Sequence, residues 1–429
     1  MIKKNLILII ATLLYASTAE AFFPINYFRP WDVENVVKPY RSKGAWLDVA
    51  CLSEFGLSTV GRTSCEVLCE PSKDGQEVNV LHVWQDEQDG LAMLKGFNPS
   101  SAIGALGQQL NIDDDNGIRG HFKFCGDLDI KSNVIFSSRF YLKHNFIAGI
   151  YIPFVSLSLT TTYQDLTQMV TEEDFLTKSL LTNNFAANVF ELGNGLDING
   201  WDRKGLGDIA ALIEWSKNFP QAKPLLKNVN THIRGGLTIP TGKAADPDQI
   251  MSIPLGNDGA FGLLFGAGLD LSLMRFINLG VDVEFLFLFS NERIRRVKTD
   301  QSQTELLLLE KTLALKDFGL TQRFNVYAEL FKMFDRLTFR FTYQFWKHDD
   351  DRVTIACSNE FSSIPANTAV SLEEWTMHHF IYNLSYDCEQ EVGEDARVRP
   401  YFSLFYKQRI NGKNSFMANT MGFLASFTF

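Results

Sequence analysis

Long stretches of this chain alternate between apolar and polar positions with a period of two, the signature of β-strands that bury one face in an apolar medium. The clearest case is 259–290, where Phe261, Leu263, Phe265, Ala267, Leu269 and Leu271 oppose Gly262, Gly266, Gly268, Asp270 and Ser272. After a turn near Arg275 and Phe276, a second arm sets Leu279, Val281, Val283, Phe285, Phe287 and Phe289 against Asn278, Gly280, Asp282 and Glu284. The same criterion predicts strands at 44–59, 118–142, 145–160, 207–218, 229–239, 321–332, 336–347, 375–388, 398–407 and 416–429. Within 118–142 the apolar residues Phe122, Phe124, Leu128, Ile130, Val134, Phe136 and Phe140 are all even-numbered. A two-residue hairpin at Lys131-Ser132 would reverse that parity, so the pattern predicts one long strand.

The strands number twelve. Connections alternate between short ones, at 143–144, 219–228, 275–276, 333–335 and 389–397, and long ones, at 60–117, 161–206, 240–258, 291–320 and 348–374; only 408–415 on the long side is brief. An even strand number with short turns at one end and long loops at the other is the organisation of a transmembrane β-barrel. The fold class expected is therefore all-β: an antiparallel transmembrane barrel of about twelve strands, whose apolar face meets lipid and whose closure removes the exposed edge. A secreted sandwich or propeller is the competing architecture. Strands of ten or more residues with aromatic faces suit a bilayer better than a sandwich.

The N-terminus adds a compartment. Lys3 and Lys4 precede the apolar run from Leu6 to Leu14, and Ala19-Glu20-Ala21 has the small-residue spacing of a signal-peptidase site. Residues 1–21 are thus read as a signal peptide, 22–43 as a periplasmic lead-in or partial plug, and 44–429 as the barrel. No apolar run, the leader's own included, reaches the length of a membrane helix. The chain carries 40 Lys+Arg against 50 Asp+Glu, a net charge of −10, which argues against nucleic acid as a partner. The 36 Phe are as expected where aromatic residues serve as strand formers and as anchors at the membrane interface.

The final strand resembles the terminal strand of Gram-negative outer-membrane barrels. Met421, Phe423, Ala425, Phe427 and Phe429 share its apolar face. The resemblance implies that Met421, Phe423, Phe427 and Phe429 form the signal read by the barrel-assembly machinery. A second resemblance rests on Gly205-Leu-Gly-Asp-Ile209 and Arg234-Gly-Gly-Leu-Thr-Ile-Pro-Thr-Gly-Lys243. These look like paired segments of the outer-membrane family linked to phenol-degradation pathways, which is related in architecture to long-chain fatty-acid channels. Phe97-Asn-Pro-Ser100 is similar to the Asn-Pro segment of the fatty-acid channels' N-terminal hatch. Here it follows the first strand, so the hatch and its gating do not carry over. The resemblance implies uptake of small hydrophobic compounds.

Candidate chemistry lies on the polar faces. Parity predicts a lumen lined by Asp48, Glu54, Asp127, Asp129, Asp208, Glu214, Asp270, Asp282, Glu284 and Glu329, together with Arg119, Lys123, Arg139, Arg234, Arg323, Arg340, Arg399 and Lys407. Charges of both signs would set a transverse field that orients polar solutes. The bland reading is that they pair across a filled interior. The inward glycines at 262, 266, 268 and 280 predict free space beside Asp270, Asp282 and Glu284.

Six cysteines in an oxidising compartment permit disulfides, but strand placement leaves only Cys65–Cys69 feasible, with free thiols as the alternative. No zinc spacing occurs, and no metal or cofactor is expected. Acidic pieces at 113–115, 197–202 and 349–351 are read as solvated loops in preference to Ca²⁺ sites. There is no nucleophile elbow; His378 is expected at the interface and His379 in the wall. The function expected is an outer-membrane channel for passive uptake of small solutes. Its partners are the small solute, outer-membrane lipid and lipopolysaccharide, and the assembly machinery. A non-conducting surface or adhesion barrel is the alternative, and an outer-membrane hydrolase is a third.

Overall fold

The computed structural model describes residues 21–22, 46–63, 75–112, 119–274, 276–333, 336–355, 361–388 and 398–429. Residues 1–20 of the signal peptide, the 22–43 lead-in beyond Phe22 as far as residue 43, Cys65, Cys69, Cys357, the acidic piece at 113–115 and the 389–397 connection lie outside these residues.

Twelve strands close into one antiparallel barrel. In chain order they are β1 Leu47–Arg62, β2 His121–Tyr141, β3 Phe146–Asp165, β4 Ile209–Pro220, β5 Leu226–Ile239, β6 Gly262–Leu273, β7 Ile277–Leu288, β8 Thr321–Met333, β9 Leu337–His348, β10 Trp375–Asp387, β11 Arg399–Lys413 and β12 Ser415–Thr428. Each pairs with its chain neighbours, and β12 pairs with β1 from Asp48↔Thr428 to Arg62↔Ser415. Phe429 completes the seam: its N–H donates to Leu47 O at 2.8 Å, and its carbonyl accepts from Trp46 N at 2.9 Å. The expected number and order of strands are those found.

The outer surface carries an exposed apolar band. Phe136, Phe140, Phe146, Phe154, Phe265, Phe285, Phe287, Met421, Phe423, Phe427 and Phe429 all point outward. Such a band has no favourable partner in water and belongs to the hydrocarbon of a bilayer.

Toward the long-loop end this arrangement inverts. In β3, Phe146, Ile150 and Phe154 face out, but beyond them Val155, Leu157 and Leu159 are buried inside. In β2 the change coincides with a bulge between Ile130 and Ser132. Asn133, Ser137 and Arg139 face inward on one side of it, while Phe122, Phe124, Leu128 and Ile130 face inward on the other. One extra residue moves every following side chain to the opposite face. The unbroken even-numbered apolar series of β2 therefore spans two environments: lipid outside the wall up to the bulge, and a packed interior beyond it. The expectation of one long strand holds, but the expectation of one continuous face is corrected.

That packed interior is a cap. β1 and β2 pair with each other only from Leu47↔Phe140 to Glu54↔Asn133. Above this, the 75–94 segment bridges the gap, Glu77–Val78 pairing with β1 and Gln88–Asp89 with β2. It carries Val80, Leu81, Val83, Trp84, Leu91, Met93 and Leu94 into the mouth, where they pack with Phe122, Phe124, Phe185, Val189, Ile250, Leu307 and Phe416. The 60–117 insertion thus folds into the barrel mouth through its described part. A three-stranded sheet of Asn291–Arg296, Lys311–Asp317 and Arg352–Ile355 completes the cap. The long 291–320 connection is thus not all loop, since Lys311–Asp317 within it is a strand. Its alternation was masked by the preceding four leucines, which enter the cap core as irregular chain. The 408–415 loop is likewise corrected: β11 and β12 continue past the membrane and join at Asn414, a left-handed residue with φ 47°.

Candidate functional site

The inward faces of β5 to β9 assemble a charged belt. Arg234 of β5 donates from Nε to Glu284 Oε2 at 2.9 Å and from Nη2 to Asp282 Oδ1 at 2.5 Å. Arg323 of β8 meets the same two carboxylates from the other side, at 2.7 Å and 3.1 Å. His232 Nε2 lies 3.0 Å from Asp282 Oδ2. A second group lies nearer the short-turn end: Arg340 donates to Glu329 Oε2 at 2.9 Å, and its guanidinium sits 4.7 Å from the Tyr327 ring centre. The Tyr327 hydroxyl donates to Asp270, which also accepts from Asn230 at 3.1 Å.

Arg234 and its two acids are not on adjacent strands; β6 lies between them. The reach is possible because β6 has glycine at both crossing points. A Cβ on Gly268 would lie 2.3 Å from the His232 ring, and one on Gly266 would lie 2.8 Å from Arg234 Nε. Gly280 plays the same part for Tyr327, whose ring would be 2.2 Å from an added Cβ. The expected free space beside Asp270, Asp282 and Glu284 is therefore corrected. The glycines give up their side-chain volume so that large neighbouring side chains can lie flat across the wall.

The other inward charges are placed as follows. Asp48 accepts from Ser426 Oγ at 2.5 Å, and Glu54 accepts from Thr420 Oγ1 at 2.5 Å and Asn133 Nδ2 at 3.2 Å. Arg139, Glu214 and Lys407 are buried on the inward face, and Arg399 is half-buried at the short-turn rim. Four predicted lumen residues sit elsewhere. Lys123, Asp127 and Asp129 lie beyond the β2 bulge and point outward, Asp127 and Asp129 being exposed. Arg119 precedes β2 and closes the helix Ala102–Gln109, donating to Leu110 O at 2.7 Å and Asn111 O at 3.0 Å. Cys125 shares the outward face and is an exposed free thiol; Cys51 is also free.

Asp208 is inward and buried at the rim, where it anchors a loop. Its carboxylate accepts from Gly242 N at 2.8 Å and Asn257 N at 2.5 Å, while Thr241 Oγ1 donates to Gly207 O at 2.8 Å. The Gly-Leu-Gly-Asp and Pro-Thr-Gly-Lys segments thus form one corner that fixes the 240–261 loop over the mouth. Asn257 also reaches Thr238 at 2.8 Å, and Asp258 pairs with Arg295 of the cap sheet.

Between this loop, the cap sheet and the 305–308 segment lies a cavity of about 210 Å³. Trp84, Leu196, Ile250, Leu306, Leu308 and Val353 give it apolar walls, and Asp258, Arg293, Arg295, Lys298, Glu305 and Lys316 give it charge. Pattern reading missed this site because its residues come from loops and from short cap strands inside the long connections, where no sustained period marks them.

Next to it a buried chain of polar contacts joins cap to barrel: Thr321 Oγ1 to His348 Nδ1 at 2.8 Å, His348 Nε2 to Asp351 Oδ1 at 3.0 Å, and Lys316 Nζ to Asp351 Oδ2 at 2.8 Å. Burial pushes the Lys316 ammonium below its ordinary value. For Asp351 burial acts in the opposite sense, but Lys316 and His348 outweigh it and hold the carboxyl at about 2. The hydroxyl–imidazole–carboxylate order is that of a hydrolase triad, yet all three side chains are 4 % exposed or less, so this chain of contacts acts as a latch. The acidic piece at 349–351 is therefore not simply solvated. His379 is wholly buried in the wall, and His378 bonds Tyr343 at 2.6 Å on the outer face. Among the described residues no cluster of His, Cys, Asp and Glu is arranged to hold a metal.

No family model and no curated protein matches the sequence. Among solved structures, an outer-membrane channel from Pseudomonas putida F1 is similar with a TM-score of 0.46 at 9% identity, covering 92% of this chain and 100% of the other. The toluene transporter of Ralstonia pickettii gives 0.31 at 10% identity, covering 95% and 98%. The β domain of a Bordetella autotransporter gives 0.32 at 6% identity, covering 90% and 99%. These are similarities of architecture, and architecture alone does not assign an activity. Its closed twelve-strand sheet, outward apolar band and short-turn/long-loop polarity make the chain a transmembrane β-barrel of the outer-membrane type.

Proposed function

We propose that this barrel is an outer-membrane channel for passive uptake of small solutes with apolar bodies, closed in the state described here. The observation that carries the reading is the 210 Å³ cavity in the cap: apolar walls with a few fixed charges, built at the mouth of a barrel. Pockets of that composition bind small organic molecules. A twelve-strand barrel is also wider than the eight-strand barrels whose interiors side chains just fill. In this reading the short turns face the periplasm and the cap faces outward among lipopolysaccharide. The solute binds in the cap, and release of the Thr321–His348–Asp351–Lys316 latch opens the way to the lumen.

The experiment is conductance of the refolded protein in planar bilayers, native and with Asp351→Asn. Conductance steps that become more frequent in the variant are expected. Absence of steps in both would leave the second reading, a non-conducting envelope barrel. That reading is favoured by the belt itself, since the four charges of Arg234, Asp282, Glu284 and Arg323 satisfy one another with 0–8 % of each side chain exposed.

A further inference from the structure

The charges around the cap cavity are not balanced. Its lining includes Asp246, Asp258 and Glu305 against Arg293, Arg295, Arg296, Lys298 and Lys316. Two of the cations have their carboxylates outside the lining: Arg296 pairs with Asp248 at 3.1 Å and Lys316 with Asp351 at 2.8 Å. Lys298 lies 3.6 Å from Glu305, and Arg295 pairs with Asp258 and donates to Asn291 Oδ1 at 2.6 Å. Once these pairs are made, two donors remain on one face of the cap strand Asn291–Arg296. The buried Nε of Arg295 has no hydrogen-bond partner. Arg293, two residues earlier and so on the same face, makes no ion pair among the described residues. The buried Gln249 side-chain oxygen, also in the lining, is likewise without a partner.

Volume limits the body of a ligand. A cavity of about 150 Å³ lined by aliphatic groups takes up benzene, so about 210 Å³ holds one ring or a short branched chain bearing a small polar group. Long acyl chains do not fit. Buried guanidinium N–H groups favour a planar oxyanion, which accepts charge-assisted hydrogen bonds in fork geometry. Trp84, Leu306 and Leu308 supply the apolar contact.

We infer that the cap cavity is a binding site for compact organic carboxylates, with Arg293 and Arg295 Nε holding the carboxylate and the Trp84–Leu306–Leu308 wall holding a single-ring or short aliphatic body. This deepens the channel reading by naming its solute class and rests on it for the cavity's role in uptake, though binding itself does not require transport.

The test is calorimetric titration of the full-length barrel in detergent with benzoate, toluene and benzylammonium, for the native protein, Arg293→Gln and Arg295→Gln. Fold is checked for each by heat-modifiable mobility on gels. Saturable benzoate binding is expected, weakened about tenfold or more in Arg293→Gln, as for loss of one charge-assisted hydrogen bond. Toluene binding should be weaker and unchanged by the substitution, and benzylammonium should not compete. If Arg295→Gln fails to fold through loss of its pair with Asp258, Arg293→Gln decides alone. Benzoate binding that is undetectable, no tighter than toluene or benzylammonium, or unmoved in Arg293→Gln overturns the inference. Conductance without benzoate binding overturns this inference and leaves the channel; benzoate binding without conductance does the reverse.

Discussion

Replacing Arg234 by Met tests the belt most directly, because the substitution keeps the bulk of the side chain and removes its charge. Arg234 is 3 % exposed and holds Glu284 at 2.9 Å and Asp282 at 2.5 Å across the β6 glycines. Without it, two buried carboxylates on alternate residues of β7 share one guanidinium, that of Arg323, and His232. Removing one partner of a buried ion pair typically costs about 3–5 kcal/mol, because the remaining charge stays desolvated. Arg323 already touches both acids, so the lower end, about 3 kcal/mol, is expected. Urea unfolding of the barrel in lipid vesicles, followed by tryptophan fluorescence, measures the cost. Adding Glu284→Gln should recover part of it, since the pair Asp282–Arg323 is then balanced. The double-mutant cycle should give a coupling of about 1–3 kcal/mol. A single-variant cost under about 1 kcal/mol, or strict additivity in the cycle, would refute the idea that these charges are held by one another.

The latch predicts an acid response of the cap. Asp351 is held at about 2, below its ordinary value of 3.8, so its contribution is complete above pH 3.8 and is lost as pH falls toward 2. The amount is about 2 kcal/mol. Acid-stable protease should cut the 291–317 segment increasingly across that window, and Asp351→Asn should flatten the dependence. Gly280→Ala should destabilise by about 1–3 kcal/mol through overpacking against the Tyr327 ring, and should cost almost nothing in a Tyr327→Ala background; equal costs in both backgrounds would show that the ring does not cross the glycine. With Cys125 as the sole cysteine, a membrane-impermeant maleimide should label intact cells. With Cys51 alone it should not, and the opposite pattern would reverse the barrel's direction. Phe429→Ala should lower the fraction of heat-modifiable protein in outer membranes by removing the ring from the outward face, while the backbone seam to Trp46 and Leu47 is kept; unchanged assembly would deny the terminal aromatic its role.

Strand number, order and closure were legible because a membrane strand has one face in hydrocarbon, and that requirement prints a period of two on the sequence. The same logic places Arg234, Asp282, Glu284, Arg323, Glu329 and Arg340 on the inward faces. It failed for Lys123, Asp127 and Asp129 for a physical reason. Past the membrane edge the apolar face turns inward, and in β2 a bulge reverses parity at the same level, so two reversals cancel in the sequence. No alternation rule separates that case from an uninterrupted lipid-facing strand.

What the chain's sequence determined by itself is the barrel, through a local rule that each strand obeys independently of its neighbours. The tertiary structure alone decided what the inward glycines are for, since Gly266, Gly268 and Gly280 look like space until Arg234, His232 and Tyr327 arrive from the next strands. It also decided the cap, whose cavity and latch join residues from positions 84 to 372 with no shared period. Lipid selects side chains one at a time, whereas a packed core and a buried charge select them only in combination.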